Sequence, residues 1–285
     1  MICPPLHIGE FQIYWLNGGR FRLDGGTMFG AVPRILWEKR CPPATDNTLP
    51  FSNDVLLIKT TQHALIVDTG LGNKLTEKQR TIFQLYSPWS IVEDLAKIGL
   101  SREDIDYVLL THCDFDHAGG IVMHNTQGEE ELSFPRATHI VQKKEWEDVE
   151  NPCLRAQSTY WPENFSCLKK TGQLTVIDGN HEVFPGIRLR LTGGHTRGHQ
   201  VIEICSEGET AIHLGDLLPT HCHSNPLWIM AYDNFPLKVI DLKEQYLKEY
   251  QKKNSWFTFY HDPTVKACTL NLRGYPDHTW PLASK

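Results

Sequence analysis

The chain has 285 residues, a net charge of −6 and 40% hydrophobic residues, enough for one large α/β unit with a sizeable core. It has no Lys/Arg block, which disfavours a phosphate-backbone partner. Its longest apolar runs fall far short of the roughly 20 residues a membrane-spanning helix needs. The start, MICPPLHIGEF, carries no basic region followed by an apolar run, so the chain reads as a soluble, cytoplasmic protein acting on a small molecule, with an oligomer left open. The eight cysteines are scattered without a CxxC pair and read as reduced, mostly buried thiols, with Cys113 and Cys222 beside candidate ligands. Fourteen histidines are many for this length, and most sit in short polar clusters near Gly, Asp or Pro.

In chain order, FQIYWL and FRL read as strands ahead of a glycine-rich loop, LDGGTMFGAVP. DVLLIKT and ALIVDTGLG form a hairpin of two apolar β-rich runs. Apolar positions at helical spacing predict a helix over residues 76–98, and SREDID opens a short helix behind a Ser cap. YVLLTH is an apolar strand, ATHIVQ another, and KKEWEDVEN a helix. QLTVID, IRLRLT, VIEICS and TAIHLGD are four further strands. A helix over about 236–252 precedes WFTFYHDP, read as the last strand. No repeat or linker divides the chain, so the expectation is one domain over 1–285, with sheet-containing halves at roughly 1–170 and 171–285.

Polar clusters fall where these strands end. Asp68 follows LIV, His112 follows YVLL, His195 follows RLRLT, Asp216 follows AIHLG and His261 follows WFTFY. The crevice at the carboxyl ends of strands is where ligands bind in open α/β sheets, because loops converge there. The densest cluster is THCDFDHAGG, which sets His112, Asp114, Asp116 and His117 within six residues.

IVDTGLG, HCDFDH, GGHTRGH, HLGD and FYHD, in this order, resemble the metallo-β-lactamase-fold hydrolases over at least residues 54–262. GGTMFGAVP, GDLLPTHCH and WIMAYD resemble the acyl-homoserine lactonase, or quorum-quenching, branch. The resemblance implies a four-layer αβ/βα sandwich of the α/β class holding two divalent metal ions per chain. The first would be held by His112, Asp114 and His195, the second by Asp116, His117 and His261, with Asp216 bridging both. Asp68 and His199 would support the ligands from behind. Arg197 stands where the motif usually has Pro, which alters the loop and removes no ligand.

The reaction implied is hydrolysis of an ester or lactone by a metal-bridging hydroxide, with Asp116 also serving in proton transfer. A small-molecule phosphodiesterase and a diiron oxidoreductase related to the flavodiiron branch are the alternatives. Two features depart from the family. The pattern HxHxDH reads HxDxDH here, and a carboxylate at Asp114 shifts preference from zinc toward manganese or iron. The Tyr that lactonases carry three residues after the bridging Asp is replaced by Pro219, leaving His223 or Tyr232 to polarise a substrate carbonyl. Met28, Phe29 and Trp37 are candidates for an apolar pocket beside the metals.

Overall fold

A computed structural model describes residues 3–281. Two seven-stranded sheets lie face to face. The first contains β1 (Leu6–Ile8), β2 (Phe11–Asp24), β3 (Thr48–Lys59), β4 (Ala64–Val67), β5 (Tyr107–Leu109), β8 (Thr138–Gln142) and β9 (Leu174–Ile177), hydrogen-bonded in that order. The second runs through β10 (His181–Phe184), β11 (Ile187–Leu191), β12 (Gln200–Ser206), β13 (Glu209–His213), β14 (Trp256–Thr258), β15 (Ala267–Leu270) and β16 (Pro276–Trp280). A separate hairpin joins β6 (Val122–His124) to β7 (Glu130–Leu132).

The expected sandwich follows from which faces are apolar. Ile13, Leu56, Ile58, Leu65, Val67 and Leu109 of the first sheet meet Ile187, Leu189, Ile202 and Ile204 of the second in a buried seam. The opposite face of the first sheet packs Leu57, Ile66 and Val108 against Ile91, Leu95 and Trp146, which lie on the helices Ile91–Lys97 and Lys143–Glu150. The outer face of the second sheet packs Val201, Ile212 and Phe257 on the helix Pro236–Lys252 through Val239, Tyr246 and Tyr250. β3 and β4 are buried on both faces, which is why they read as continuous apolar runs without alternation.

Three expectations change. FQIYWL and FRL form one 14-residue strand, with a register shift between Asn17 and Arg20. The helix expected over 76–98 is two helices, Glu77–Ile82 and Ile91–Lys97. The stretch between them carries Pro88 and runs beside β2, where Arg20 N–H donates to the Ser87 carbonyl at 2.8 Å. WFTFYHDP is not the last strand, since β15 and β16 follow it; they are short and mixed in polarity, so neither gave a periodic signal. The chain crosses between sheets after Ile177, slightly beyond the expected 170.

Where the strands stop positions the site. β4 and β5 are parallel neighbours, so the segments after Val67 and Leu109 emerge side by side. β13 and β14 are also parallel neighbours and deliver residues 216 and 261 to one edge of the second sheet.

Ile202 is fully buried in the seam between the sheets. Replacing it with Ala is expected to lower unfolding free energy by about 2–5 kcal/mol, the range for deleting a buried Ile side chain. Val176→Ala, at a position 43% exposed, should stay within about 0.5 kcal/mol. Urea unfolding of both variants measures the contrast.

Candidate metal centre

Seven side chains from four strand-end loops meet at the edge of the two sheets. His112 and Asp114 follow β5, Asp116 and His117 lie on the one-turn helix Phe115–Ala118, and His195 follows β11. Asp216 and His261 follow β13 and β14. Gly215 makes the approach possible: its φ is +50°, and a Cβ there would stand 2.9 Å from His199 Nε2 and 3.3 Å from Thr111.

The contacts divide into two groups. Asp114 Oδ2 is 3.6 Å from His112 Nε2 and 3.4 Å from His195 Nε2. Asp116 Oδ2 is 3.6 Å from His261 Nε2 and 3.9 Å from His117 Nε2, and these two nitrogens are 3.2 Å apart. Asp216 spans the groups, with Oδ2 3.5 Å from His195 Nε2 and Oδ1 3.3 Å from both His117 Nε2 and His261 Nε2.

These spacings fit metal ligation. Donors roughly 2.1 Å from a tetrahedral ion lie about 3.4 Å from one another. His112 Nε2, His195 Nε2 and Asp216 Oδ1 are buried without a hydrogen-bond partner, a costly condition that a cation removes. The His112–Asp114–His195 and Asp116–His117–His261 sets each keep their donor atoms within 4.8 Å, and His112, His117 and Asp216 form a third such set between them.

Each imidazole is gripped at its other nitrogen. His117 Nδ1 donates to Asp68 Oδ2 at 2.9 Å, His195 Nδ1 to Asp233 Oδ1 at 2.9 Å, and His261 Nδ1 to the Ser52 carbonyl at 3.0 Å. His112 Nδ1 faces Thr111 Oγ1 at 3.0 Å. Asp68 has a φ of +59° and accepts from Thr111 N–H and Thr111 Oγ1, both at 2.7 Å. Burial alone would raise the Asp114 pKa, but His112 and His195 hold it well below the carboxylate range. Burial lowers the His117 pKa, yet Asp216, Asp116 and Asp68 together lift it well above the ordinary value. His195 behaves likewise, through Asp216, Asp114 and Asp233.

Other expected residues are placed as follows. His199 is fully buried behind His112 and His195, with Nδ1 on Thr192 Oγ1 at 2.8 Å and its pKa held well below normal by burial and those two imidazoles. His223 is not brought to the cluster. Its Nδ1 meets Thr220 Oγ1 at 2.7 Å, its Nε2 donates to the Met28 carbonyl at 2.9 Å, and its ring stacks on Phe29. Tyr232 lines the cavity beside the cluster, with Leu23, Met28, Phe83, Phe115 and Met230. Phe29 and Trp37 stack on each other behind that wall and do not line it. Arg197 clamps Asp148 on the helix Lys143–Glu150, with Nε at 2.8 Å and Nη2 at 2.7 Å, so an ion pair steadies this loop in place of a proline.

Two buried carboxylates escaped sequence reasoning. Asp233 ends WIMAYD, where nothing in the sequence marks its partner. Glu145 looked like one more acid on an amphipathic helix, yet it is fully buried and accepts from Cys113 N–H at 2.8 Å, Tyr160 Oη at 2.5 Å, Thr196 Oγ1 at 2.6 Å and Gly198 N–H at 3.2 Å. It ties the loop bearing His112 and Asp114 to the loop bearing His195. The cysteine expectation is corrected: Cys41 and Cys222 are disulfide-bonded, while Cys3, Cys113, Cys153, Cys167, Cys205 and Cys268 are free.

Residues 48–253 match the family model of the metallo-beta-lactamase superfamily, well over half of the chain. The chain belongs to the metallo-β-lactamase superfamily. An N-acyl homoserine lactonase of Bacillus cereus is 27% identical over 206 residues, 69% of this chain and 71% of the relative. The crystal structure of a probable metal-dependent hydrolase from Staphylococcus aureus is 39% identical, with a TM-score of 0.91 over 96% of this chain and 98% of the other. AidC, a dizinc quorum-quenching lactonase in complex with the product N-hexanoyl-L-homoserine, shares the fold at 20% identity, with a TM-score of 0.79 over 100% and 99% of the two chains. In this metallo-β-lactamase superfamily hydrolase the strand-end cluster is the place where the fold can hold metal.

A metal ion bound at the cluster would compete with protons for His117 and His195. In metal-free protein their raised pKa values contribute stability that is complete below the unfolded value of about 6.5 and is lost as pH rises through the folded value. Metal binding needs the neutral imidazoles and gains as pH rises. The Tm difference between metal-loaded and chelated protein is therefore expected to widen from pH 6 to pH 8. A constant difference would mean that neither histidine is a ligand.

Proposed function

We propose that this superfamily member is a binuclear metal-dependent hydrolase of an ester or lactone, acting through residues 1–285 as one functional unit. The observation that carries the reading is Asp216, whose two oxygens face different histidines, Oδ2 toward His195 and Oδ1 toward His117 and His261. In this reading His112, Asp114 and His195 hold one cation, Asp116, His117 and His261 the other, and Asp216 is shared. Two divalent ions so held would lower the pKa of a water and polarise an acyl oxygen.

The protein's own groups orient the substrate. The cavity beside the cluster has a volume of about 220 Å³ and carries Leu23, Met28, Phe83, Phe115 and Met230 on its walls. Phe83 stacks on Phe115 at 4.8 Å, and Phe115 on Trp161 at 4.6 Å, so one wall is a rigid apolar surface suited to an acyl arm. Asp116 lines the same cavity, and its carboxylate is the group assigned to carry the proton to the leaving alkoxide. Tyr232 donates from Oη to Thr27 Oγ1 at 2.9 Å, and burial raises its pKa, so its proton stays available. Turned from Thr27 to the substrate, that O–H takes the part of the missing lactonase Tyr. His223 has both ring nitrogens engaged and is not assigned it.

Support for a lactone comes from the lactonase-named relatives, and for an ester more widely from the apolar cavity. Among the described residues no Lys or Arg lines this cavity, which disfavours the phosphodiesterase alternative. Asp114 supplies a hard, anionic donor and favours manganese or iron over zinc in the first site.

A panel of acyl-homoserine lactones, aryl esters and bis-aryl phosphodiesters, assayed with zinc, manganese and iron, tests the reading. Turnover is expected with the carboxylic substrates and should fall at least 100-fold in Asp216→Ala, which should also bind fewer ions per chain. Phosphodiesters hydrolysed faster than every carboxylic substrate would overturn it. Tyr232→Phe should lower kcat about 10-fold or more at unchanged metal content, as loss of one oxyanion donor does. Asp114→His is expected to raise the zinc to manganese ratio at saturation, measured by elemental analysis. Unchanged metal preference in Asp114→Ala would make that carboxylate a bystander.

A further inference from the structure

We propose that Cys41 and Cys222 form a redox-active thiol–disulfide site, served by His221 and Asp262, that exchanges with low-molecular-weight thiols. It lies outside the ligand set and independent of the hydrolytic reading. The two cysteines are 181 residues apart in sequence, and the other six described cysteines are free, so the bond does not belong to a general disulfide framework.

The surroundings of the pair are built asymmetrically. Cys41 is half-buried and lines a cavity of about 160 Å³ with Phe29, Leu49, Phe51 and Pro263. Cys222 is 1% exposed, and His221 Nε2 stands 3.6 Å from its sulfur. His221 Nδ1 is hydrogen-bonded to Asp262 Oδ2, which also accepts the His221 backbone N–H at 2.9 Å. Asp262 Oδ1 accepts from Thr264 N–H at 3.0 Å, Thr264 Oγ1 at 2.9 Å and Val265 N–H at 2.9 Å, so the carboxylate is fixed from both sides. Arg40 adds positive charge: its Nη1 donates to the Cys222 carbonyl at 3.4 Å, and it stacks over Trp228 and Tyr275 with no ion pair among the described residues.

This arrangement decides which sulfur is attacked and which leaves. A thiolate enters by the cavity, attacks Cys41 Sγ, forms a mixed disulfide with it and expels Cys222 as a thiolate. A proton reaches that sulfur from solvent by way of His221, whose ring stands beside it in an orientation fixed by Asp262. A second thiolate attacks the outer sulfur of the mixed disulfide, releasing Cys41 as a thiolate, which is protonated from solvent, and a small disulfide. Two electrons pass from two thiols to the protein, and oxidation by a small disulfide runs the steps in reverse. Exchange is faster when the leaving thiolate is better stabilised, and His221 and Arg40 are the polar side chains placed beside Cys222.

The bond also closes a mechanical link. It joins the segment after the helix Arg34–Trp37 to the loop that follows Asp216, beside the His223 contact to the Met28 carbonyl. Met28 is a wall of the cavity at the metal cluster, so opening the bond frees one border of that cavity.

The test uses the full chain, equilibrated in glutathione and glutathione disulfide at graded ratios, alkylated under denaturing conditions and mapped by mass spectrometry. Positions 41 and 222 are expected to be linked at oxidising ratios and to become alkylated together, in one two-electron transition, as the ratio falls. Reduction by dithiothreitol should be about 10-fold slower in His221→Asn and His221→Gln. In Cys222→Ser, Cys41 should form a mixed disulfide with glutathione. Both cysteines remaining alkylatable at every ratio would overturn the proposal. So would reduction rates unchanged in both His221 variants, checked for native circular dichroism, or a Cys41 inert to glutathione disulfide in Cys222→Ser. None of these readouts depends on hydrolysis, so failure of the ester or lactone reading leaves them interpretable.

Discussion

An imidazole has two nitrogens, and the candidate centre depends on how the outward one is satisfied. For His112, His117, His195 and His261 the Nδ1 atom is occupied by Thr111, Asp68, Asp233 and the Ser52 carbonyl respectively. With Nδ1 engaged, each ring has one orientation left, and all four Nε2 atoms turn to the same small volume. The partners come from four different loops or strands, so the geometry of the cluster is set by the packing of both sheets and not by any one motif. The unfavourable φ of Asp68 fits this picture, because its backbone is bent where three hydrogen bonds to Thr111 and His117 hold it.

Much of this was legible in the sequence because strand ends are legible. Apolar runs such as YVLL and AIHLG announce buried strands, and a His or Asp at the end of such a run has nowhere to go except the rim. That logic located His112, His195, Asp216 and His261 in one crevice, while the sandwich followed from the resemblance of the ordered motifs to the family. It did not reach Glu145 or Asp233, because the partners of Glu145 lie 15 to 53 residues away and the His195 that Asp233 holds lies 38 away, and a single carboxylate on a helix or loop carries no pattern. The break at Phe83–Ser90 was hidden by helix-like residues on both sides, although Pro88 was the available signal. The disulfide was hidden for a related reason: 181 residues separate two cysteines that no local spacing connects.

Charge explains why Asp114 is tolerable where an imidazole is expected. Three carboxylates and four imidazoles converge, and the two divalent cations of the proposed centre would bring four positive charges. The carboxylate at 114 is half-open to the cavity, whereas Asp216 is buried. An anion at the rim keeps some hydration and costs less than one in the interior. Glu145 enters the same balance from behind, since it is fully buried and its pKa is raised mainly by that burial. Four hydrogen-bond donors offset the cost without adding a cation, so the first site gains a fixed frame rather than a compensating charge.

The segment after β2 shows how cavity and centre become separable. Of residues 25–41, Met28 lines the cavity beside the cluster, and the segment is held by Ala231 N–H on the Thr27 carbonyl, His223 on the Met28 carbonyl, the stacked Phe29 and Trp37, and the Cys41–Cys222 bond. Ligand geometry and cavity shape therefore rest on different networks. Substitutions in this segment can reshape what the cavity accepts while the Nδ1 partners keep the four imidazoles aimed inward, which lets one metal-binding frame serve differently shaped substrates.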